Sequence, residues 1–322
     1  MKNMISQVYV ASHDSNGGIH HYILFDSGHL ELINSYILNY PTYISSCING
    51  HLYVLLRESF PNQSGIATFT ISSDGSLFKH GPVQSTKGSV ASCILIIDNA
   101  VYCTNYGSGT TILFPNKIVS HVGKGPDPIR QKASHPHCIV PTPDGEYLCI
   151  ADLGTDNVYI FNKNMDFISS IKLPGASGPR HIVFSDNNSL AYCVNELSST
   201  VSILSYYKGY LEYVSSYSTL PKNCFGKNTA AAIRLHKNRL YVSNRGNDSI
   251  AIFDIFGSKL YPLCFPKTGG SSPRDFNIID DLLLCGNELS DNITIFRITD
   301  NGISDVKYSI SVKRPWCILP LK

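Results

Sequence analysis

Leu240-Tyr241-Val242-Ser243-Asn244 is one copy of a five-residue pattern that recurs along the chain. The pattern reads hydrophobic, aromatic, hydrophobic, small, polar, and its seven copies end at residues 12, 56, 105, 152, 195, 244 and 287. The steps between these end positions are 44, 49, 47, 43, 49 and 43 residues. A repeat of this period in a β-type sequence is typical of a β-propeller, in which each repeat forms one blade. We therefore expect seven blades.

Each repeat contains four short apolar runs separated by turn residues. In one repeat, a run at 137–140 precedes the pattern, an alternating run at 157–161 follows it, and a more variable run at 167–171 closes the unit. Alternation of apolar and polar residues is typical of a half-buried strand. The sequence therefore predicts four antiparallel strands per blade, named A to D here, with A innermost.

The two ends of the chain supply complementary parts of one blade. Residues 314–320 read as an A strand with no B, C or D strand after it, whereas strands near Val8, His20 and Leu30 have no A strand before them. We expect the C-terminal strand to complete the N-terminal blade, because such closure removes open sheet edges. The predicted fold is thus all-β, a seven-bladed β-propeller formed by a single domain spanning residues 1–322.

The composition argues against several classes of partner. A net charge of +2 gives no general reason to expect nucleic-acid binding, and no apolar run reaches membrane-spanning length. Ten cysteines occur without a CxxC pair or a zinc-type spacing, so we expect reduced thiols. We expect no signal peptide at the N-terminus, because residues 1–6 run directly into the first predicted strand. We expect a cytoplasmic protein, a monomer or weak homo-oligomer, without a metal or other cofactor.

Charged and imidazole side chains concentrate at one end of the predicted A and B strands. Because neighbouring strands are antiparallel, the start of each A strand lies beside the end of its B strand, at one mouth of the central channel. The starts of A contribute His135, His137, Arg180, His181, Arg274 and Trp316, and the ends of B contribute Asn105, Asp152, Glu196, Arg245 and Glu288. Such groups are costly to bury without partners or a ligand. This mouth is therefore the candidate functional site.

The chemistry that suits this set is acyl transfer to water. A carboxylate or imidazole can take a proton from water, and a guanidinium can stabilise an oxyanion or hold an anionic substrate. Several arginines around one mouth favour a substrate that carries phosphate or carboxylate. No serine nucleophile elbow, P-loop or dinucleotide fingerprint is present. Asp152 also recurs at a turn position, where a side chain that bonds the backbone is the competing interpretation.

Eight segments between residues 105 and 276 also carry a family resemblance. They lie at residues 105–109, 125–131, 134–137, 151–156, 178–181, 193–197, 243–249 and 272–276. Together these segments resemble the bacterial seven-bladed propeller lactonases typified by 6-phosphogluconolactonase, which are distantly related to the fungal muconate-lactonising enzymes.

The resemblance implies a metal-independent lactonase with its pocket at the channel mouth. By similarity with the muconate-lactonising relatives, the catalytic residues are His137, Arg180, Glu196 and Arg245. His135 competes with His137, because alternation along the A strand puts both on the same face. The residues predicted to bind substrate are His135, His181, Arg274, Arg130, Asp152 and Asn105.

The leading hypothesis is hydrolysis of 6-phospho-glucono-δ-lactone to 6-phosphogluconate, a step of the pentose phosphate pathway. Glu196 or His137 would activate water, and Arg180 with Arg245 would stabilise the oxyanion. Arg274 or Arg130 would hold the phosphate.

Three alternatives stay open. The substrate could be another carboxylated or sugar lactone, or the chain could be a non-catalytic propeller that binds a partner protein. The acidic and amide residues Asp152, Asn195, Asn244 and Glu196 could also imitate the ligands of calcium-dependent propeller lactonases.

Overall fold

Thirty β-strands form the regular structure of the computed structural model, which describes residues 3–46 and 49–321. These residues contain no helix that is long and apolar enough to cross a membrane. In chain order, the strands are β1 (Met4–Ser12), β2 (Gly18–Phe25) and β3 (Leu30–Ile37) in blade 1; β4 (Pro41–Ser46), β5 (His51–Phe60), β6 (Gln63–Ile71), β7 (Leu77–Lys79) and β8 (Gln84–Ser85) in blade 2; β9 (Ala91–Ile97), β10 (Ala100–Asn105), β11 (Thr110–Leu113) and β12 (Lys117–Ser120) in blade 3; β13 (Pro136–Pro141), β14 (Tyr147–Asp152), β15 (Asn157–Asn162) and β16 (Phe167–Lys172) in blade 4; β17 (Pro179–Phe184), β18 (Leu190–Asn195), β19 (Thr200–Tyr207) and β20 (Tyr210–Ser218) in blade 5; β21 (Thr229–His236), β22 (Arg239–Arg245), β23 (Ser249–Phe256) and β24 (Lys259–Cys264) in blade 6; β25 (Pro273–Ile279), β26 (Leu282–Asn287), β27 (Asn292–Thr299), β28 (Gly302–Ile303) and β29 (Tyr308–Ser311) in blade 7; and β30 (Pro315–Leu321), the A strand of blade 1.

The strands form seven antiparallel sheets, one per blade. The outer strand is divided in blades 2 and 7, where β8 and β29 pair beside β7 and β28. Strand β30 pairs with β1, from Gln7 opposite Leu321 to Ser12 opposite Pro315. The predicted propeller, with four antiparallel strand positions per blade and closure by the C-terminal strand, is confirmed.

The seven A strands surround the central channel. Each contacts the A strand of the next blade, in the cyclic order β30, β4, β9, β13, β17, β21, β25 and back to β30. The aromatic position of the sequence repeat fills the core: Tyr9, Tyr102, Tyr192 and Tyr241 are at most 1% exposed. Most B strands therefore pack a tyrosine between sheets at this position, whereas blades 4 and 7 have Cys149 and Leu284 there, and the residue at the end of the motif lies toward the mouth.

The cysteines are part of this packing. The nine cysteines in the part of the chain that the structure describes are free, and seven of them are buried; Cys47 lies outside the described residues. Burial raises the pKa of Cys193 to about 12. Thiols in such surroundings behave as small core hydrophobes rather than as nucleophiles.

Candidate active site

A kink precedes the A strand in most blades. The residue just before the strand has a left-handed φ between 40° and 66° in five blades, at Tyr40, Val90, Gly178, Ser272 and Arg314. At Gly178 a Cβ atom would lie 2.5 Å from the Leu197 side chain, so that position requires glycine. The kink turns the chain from the rim of the propeller into the channel.

A β-bulge lies near the start of every A strand, in blades with and without this kink. In six blades it leaves one residue without a cross-strand partner: Thr42, Ser92, His137, Arg180, Arg274 and Trp316. In blade 6 the bulge contains Ala231 and Ala232. A bulge re-aims its side chain away from the regular alternation. Accordingly, all six unpaired residues line one cavity of about 270 Å³ at this mouth.

The residue that follows the polar end of each B-strand motif forms a second ring at the mouth. These seven residues are His13, Arg57, Tyr106, Leu153, Glu196, Arg245 and Glu288. In all blades but blade 6, the backbone N–H of this residue donates to the carbonyl of a residue just before the A strand, at 2.7–3.1 Å. The same backbone bond therefore places Glu196 in blade 5 and Arg57 in blade 2 at equivalent points around the cavity.

Glu196 is the centre of the charged network. Its Oε1 accepts from Arg130 Nη2 at 2.6 Å, and its Oε2 lies 2.9 Å from Arg245 Nη2 and 3.1 Å from Arg180 Nε. Burial alone would raise the pKa of this carboxyl, but Arg245 and Arg180 hold it well below its ordinary value. Glu196 is thus ionised at neutral pH, and its main geometric effect is to bring three guanidiniums together.

Arg180 is the most buried of these guanidiniums, with its side chain 4% exposed. Burial and the neighbouring Arg245 lower its pKa to about 9. Its Nη1 donates to the carbonyl of Ala231 at 2.6 Å, so the bulge of blade 6 anchors it. Arg180 therefore keeps its positive charge at neutral pH in a fixed position beside the cavity.

His137 supplies an uncharged imidazole next to the arginines. Burial and Arg180 hold its pKa well below 6.5. Its Nδ1 is buried and has no hydrogen-bond partner among the described residues. Its ring packs edge-on against Tyr106 and His181, with centroids 5.8 Å and 5.3 Å away. His181 also lines the cavity, and burial likewise lowers its pKa.

The structure distinguishes His135 from His137, which the sequence pattern treats as equivalent. His135 precedes β13, and its ring stacks on Tyr106 at 4.4 Å. Its Nδ1–H donates to the Tyr106 carbonyl at 2.8 Å. His137 occupies the bulge and lines the cavity, whereas His135 is not among the described residues of the cavity wall. The expectation that both share one face fails because the bulge interrupts the alternation.

Besides His135, two more predicted substrate-binding residues lie outside the cavity wall formed by the described residues. Asp152 is fully buried and accepts hydrogen bonds from the backbone N–H groups of His135 at 2.7 Å and Gly154 at 2.9 Å. Asn105 donates to the Thr86 carbonyl at 3.1 Å. Both side chains hold their loops together, which is the turn role considered above for Asp152. Arg130 and Arg274, in contrast, line the cavity as expected.

The residues that could imitate a calcium site also bond within the scaffold. Asn195 donates to Thr200 and Ser202 at 2.8 Å, and Asn244 donates to the Thr219 carbonyl at 2.7 Å. Among the described residues, no group of three or more His, Cys, Asp or Glu side chains is placed to hold a metal ion. The side chains of Asn195 and Asn244 therefore have a structural role, because their hydrogen bonds lie within the scaffold.

A second charged cluster surrounds Trp316 on the other side of the mouth. Its members, called the Trp316 cluster below, are His13, Arg57, Arg274, Glu288, Arg314 and Trp316. Glu288 lies 3.0 Å from Arg314 Nη2 and 3.4 Å from Arg274 Nη1. Burial and Arg245 lower the pKa of Arg274 to about 10, so it stays charged at neutral pH.

An ion pair lies between the two mouths. Arg234 Nη2 donates to Asp275 Oδ1 at 2.7 Å. Asp275 borders the cavity described above, and Arg234 borders a separate cavity of about 1260 Å³ at the opposite mouth. The Asp275 carboxylate is thereby paired with a cation outside the arginine-lined cavity, whereas Glu196 pairs with three arginines of the cavity wall.

The sequence matches the family described as lactonase, seven-bladed β-propeller, over residues 7–320. The chain belongs to this lactonase family. The match covers nearly the whole chain and confirms the resemblance inferred from the motifs. The four residues that the resemblance predicts to be catalytic, His137, Arg180, Glu196 and Arg245, line one cavity.

Relatives of this chain occur in several bacteria. An uncharacterized protein of Lactococcus lactis is 36% identical over 308 residues, covering 87% of this chain and 88% of its own length. A Lactobacillus plantarum crystal structure shares 27% identity and a TM-score of 0.90, over 98% of this chain and 99% of that one. A Bacteroides fragilis protein, provisionally named a 6-phosphogluconolactonase, shares 26% identity and a TM-score of 0.90, over 98% of both chains.

The sequence analysis did not predict several residues of the cavity wall. They are Thr42, Arg57, Ser92 and Tyr106. A signal was available, because each occupies the repeat position that elsewhere holds His137, Arg180, Glu196 or Arg245. Arg57 follows Leu56, whose apolar side chain departs from the polar end of the motif and hides the correspondence.

Proposed function

We propose that this lactonase hydrolyses 6-phospho-glucono-δ-lactone to 6-phosphogluconate. The observation that carries the proposal is the convergence of Arg130, Arg180 and Arg245 on the buried Glu196, beside the uncharged imidazole of His137. Family membership supplies the reaction class, and the name of the Bacteroides fragilis structure supports the substrate.

The substrate proposal also rests on charge. The described residues that line the cavity include five arginines, Arg57, Arg130, Arg180, Arg245 and Arg274. Only two carboxylates, Glu196 and Glu288, pair with four of these arginines, and Asp275 is paired with Arg234. A phosphorylated sugar lactone carries about −1.5 to −2 charge at pH 7 and complements this excess of positive charge.

In the proposed reaction, water attacks the lactone carbonyl carbon while His137 accepts a proton from the water. The carbonyl oxygen becomes an oxyanion, which Arg180 and Arg245 stabilise by donating hydrogen bonds. When the tetrahedral intermediate collapses, the ring C–O bond breaks and His137 returns the proton to the leaving oxygen. The product is the open-chain acid, and the acid proton is released to solvent.

This assignment divides the roles of His137 and Glu196. A carboxylate held by three guanidiniums is a weak base, because protonation would leave those cations without their counter-charge. The neutral imidazole of His137 lies on the cavity wall and has a ring nitrogen whose lone pair can accept a proton. We therefore assign water activation to His137 and the orientation of the arginines to Glu196. An acid–base group of this kind contributes about 10²–10⁴-fold, which suits a δ-lactone that already hydrolyses slowly in water.

The proposal is tested by base uptake at constant pH with purified protein and freshly generated 6-phospho-glucono-δ-lactone. Glucono-δ-lactone is the matched substrate without phosphate, and a chelator is included as a control for trace metal. Fast hydrolysis of the phosphorylated lactone, insensitive to the chelator, is expected. Hydrolysis of unphosphorylated or carboxylated lactones instead would assign a different lactone, and no hydrolysis by folded protein would favour a binding role.

A further inference from the structure

We infer that the Trp316 cluster is a phosphate-binding subsite and that Arg57 is the residue that makes the site selective for a phosphorylated substrate. The inference rests on the proposed function and deepens it. It assigns the non-reacting end of the substrate to blades 1, 2 and 7, across the cavity from the Glu196 network.

The first observation is that three guanidiniums converge on one indole ring. The Cζ atoms of Arg274, Arg314 and Arg57 lie 3.6, 5.8 and 5.9 Å from the ring centroid of Trp316. Like charges gathered around one ring repel one another, and their attraction to the indole ring offsets only part of that repulsion. An arrangement that gathers three cations on one half-buried surface is favourable when an anion binds there.

The second observation is that the cluster contains too few carboxylates to balance these cations. Among the described residues, Glu288 pairs with Arg314 and Arg274, and no ion pair is found for Arg57. Arg57 is half-buried and lines the cavity. The three guanidiniums and one carboxylate leave a local excess of two positive charges, which matches the charge of a phosphate monoester dianion.

The third observation is that the remaining member, His13, supplies no counter-charge and holds the cluster rigid. Its ring stacks on Trp316 with centroids 3.5 Å apart and an interplanar angle of 16°. Burial lowers its pKa to about 4, and the positive charges of Arg314, Arg57 and Arg274 contribute to this shift. The neutral imidazole and the Arg274 guanidinium are both in stacking contact with the indole. The indole and Arg274 are therefore fixed before any ligand arrives, which lowers the ordering cost of binding.

The repeat geometry separates this subsite from the reacting end. Arg57 and Glu196 occupy the same position of the repeat, in blades 2 and 5, so they face each other across the ring. A sugar acid whose carboxyl end lies at Arg180 and Arg245 can direct its distal phosphate toward Arg57. A distal carboxylate would satisfy one of the two excess charges, so the cluster favours phosphate.

The experiment is calorimetric titration of wild-type protein, Arg57→Gln and Lys132→Gln with 6-phosphogluconate, gluconate and glucarate. Lys132 is an exposed cation on the loop that carries Arg130. Lys132→Gln therefore removes one positive charge, as Arg57→Gln does, but leaves the cavity wall unchanged. We expect Arg57→Gln to weaken 6-phosphogluconate binding at least tenfold and gluconate binding less than twofold, with Lys132→Gln changing neither more than twofold. The inference is overturned if Arg57→Gln leaves 6-phosphogluconate binding intact, weakens gluconate equally, or weakens glucarate more than 6-phosphogluconate. It is overturned as well if the folded wild-type protein binds no 6-phosphogluconate.

The outcome is separable from that of the proposed reaction. Arg57-dependent binding of 6-phosphogluconate without hydrolysis of any lactone would support the subsite and refute the reaction. Conversely, if wild-type protein hydrolyses 6-phospho-glucono-δ-lactone and Arg57→Gln keeps the full preference over glucono-δ-lactone, the reaction stands and the subsite is wrong. A tenfold fall in that preference would support both.

Discussion

Replacement of Glu196 by glutamine keeps the shape of the side chain but removes the charge that three arginines share. Arg180, Arg130 and Arg245 would then converge within about 3 Å of a neutral amide. Arg180 cannot move into water, because its side chain is only 4% exposed and is anchored on the Ala231 carbonyl. We therefore expect Glu196→Gln to be folded but clearly less stable than the wild-type protein.

The magnitude follows from the burial of the network. Removing one partner of a buried ion pair typically costs about 3–5 kcal/mol. The Arg130 side chain is 39% exposed and can reorient, so the lower end of that range applies. An unfolding entropy of about 2.1 cal/mol/K per residue over 322 residues is about 0.7 kcal/mol/K. A loss of about 3 kcal/mol thus lowers Tm by roughly 4 °C.

The difference in stability also depends on pH in a defined direction. Because the arginines hold the pKa of Glu196 well below its ordinary value of 4.5, the ionised carboxylate stabilises the folded protein at and above that pH. This contribution is lost as the pH falls from 4.5 toward the lower pKa of the folded state. The wild-type protein and Glu196→Gln should therefore differ by a constant amount near neutral pH and converge under acidic conditions.

The assay is thermal unfolding of both proteins, by calorimetry or circular dichroism, from neutral to acidic pH. Glu288→Gln is the matched control, because Glu288 pairs with only two arginines, one of them at 3.4 Å, and a smaller loss is expected. Added formate should restore part of the lost stability of Glu196→Gln by binding between the arginines. A Tm within 1 °C of wild type, or a deficit that stays constant through acidic pH, would refute the reasoning.

Two further predictions concern His137 and the thiols. After subtraction of spontaneous hydrolysis, kcat/KM should be flat from about pH 6.5 to 8, because burial and Arg180 keep the pKa of His137 well below 6.5. A rise in kcat/KM with a midpoint near pH 6.5 would contradict this. His137→Asn should lower kcat by about 10²–10⁴-fold. Brief alkylation of the native protein, followed by mass mapping, tests the packing of the nine cysteines that the structure describes. The half-buried Cys224 and Cys264 should be labelled before the seven buried cysteines. Early labelling of Cys149 would show that the blades pack more loosely than in the structure.

The fold could be predicted because it follows from features of the sequence that require no knowledge of interatomic distances. The motif repeats with a nearly constant period, and a lone A strand at 314–320 matches the A strand that the first blade lacks. The antiparallel order of A and B then places Arg180, Glu196 and Arg245 at one mouth. These inferences use strand direction alone, which a repeat determines once its blades are recognised.

The site was only partly predictable, since it depends on local departures from the repeat. The bulge in β13 points His137 into the cavity and leaves His135 stacked on Tyr106, whereas plain alternation treats the two as equivalent. Distances were needed to show that Glu196 binds three arginines. Arg57 was not predicted because it follows Leu56, an apolar residue at the position where the motif otherwise ends in a polar one.

The most direct test of the central claim, that the Glu196 network is a hydrolytic site, is the rate of 6-phospho-glucono-δ-lactone hydrolysis by Arg180→Ala. Lys132→Ala serves as the charge control, and unfolding curves establish that both variants are folded. We predict that Arg180→Ala lowers kcat/KM at least tenfold and that Lys132→Ala stays within twofold of wild type. A folded Arg180→Ala protein with the wild-type rate would contradict the account.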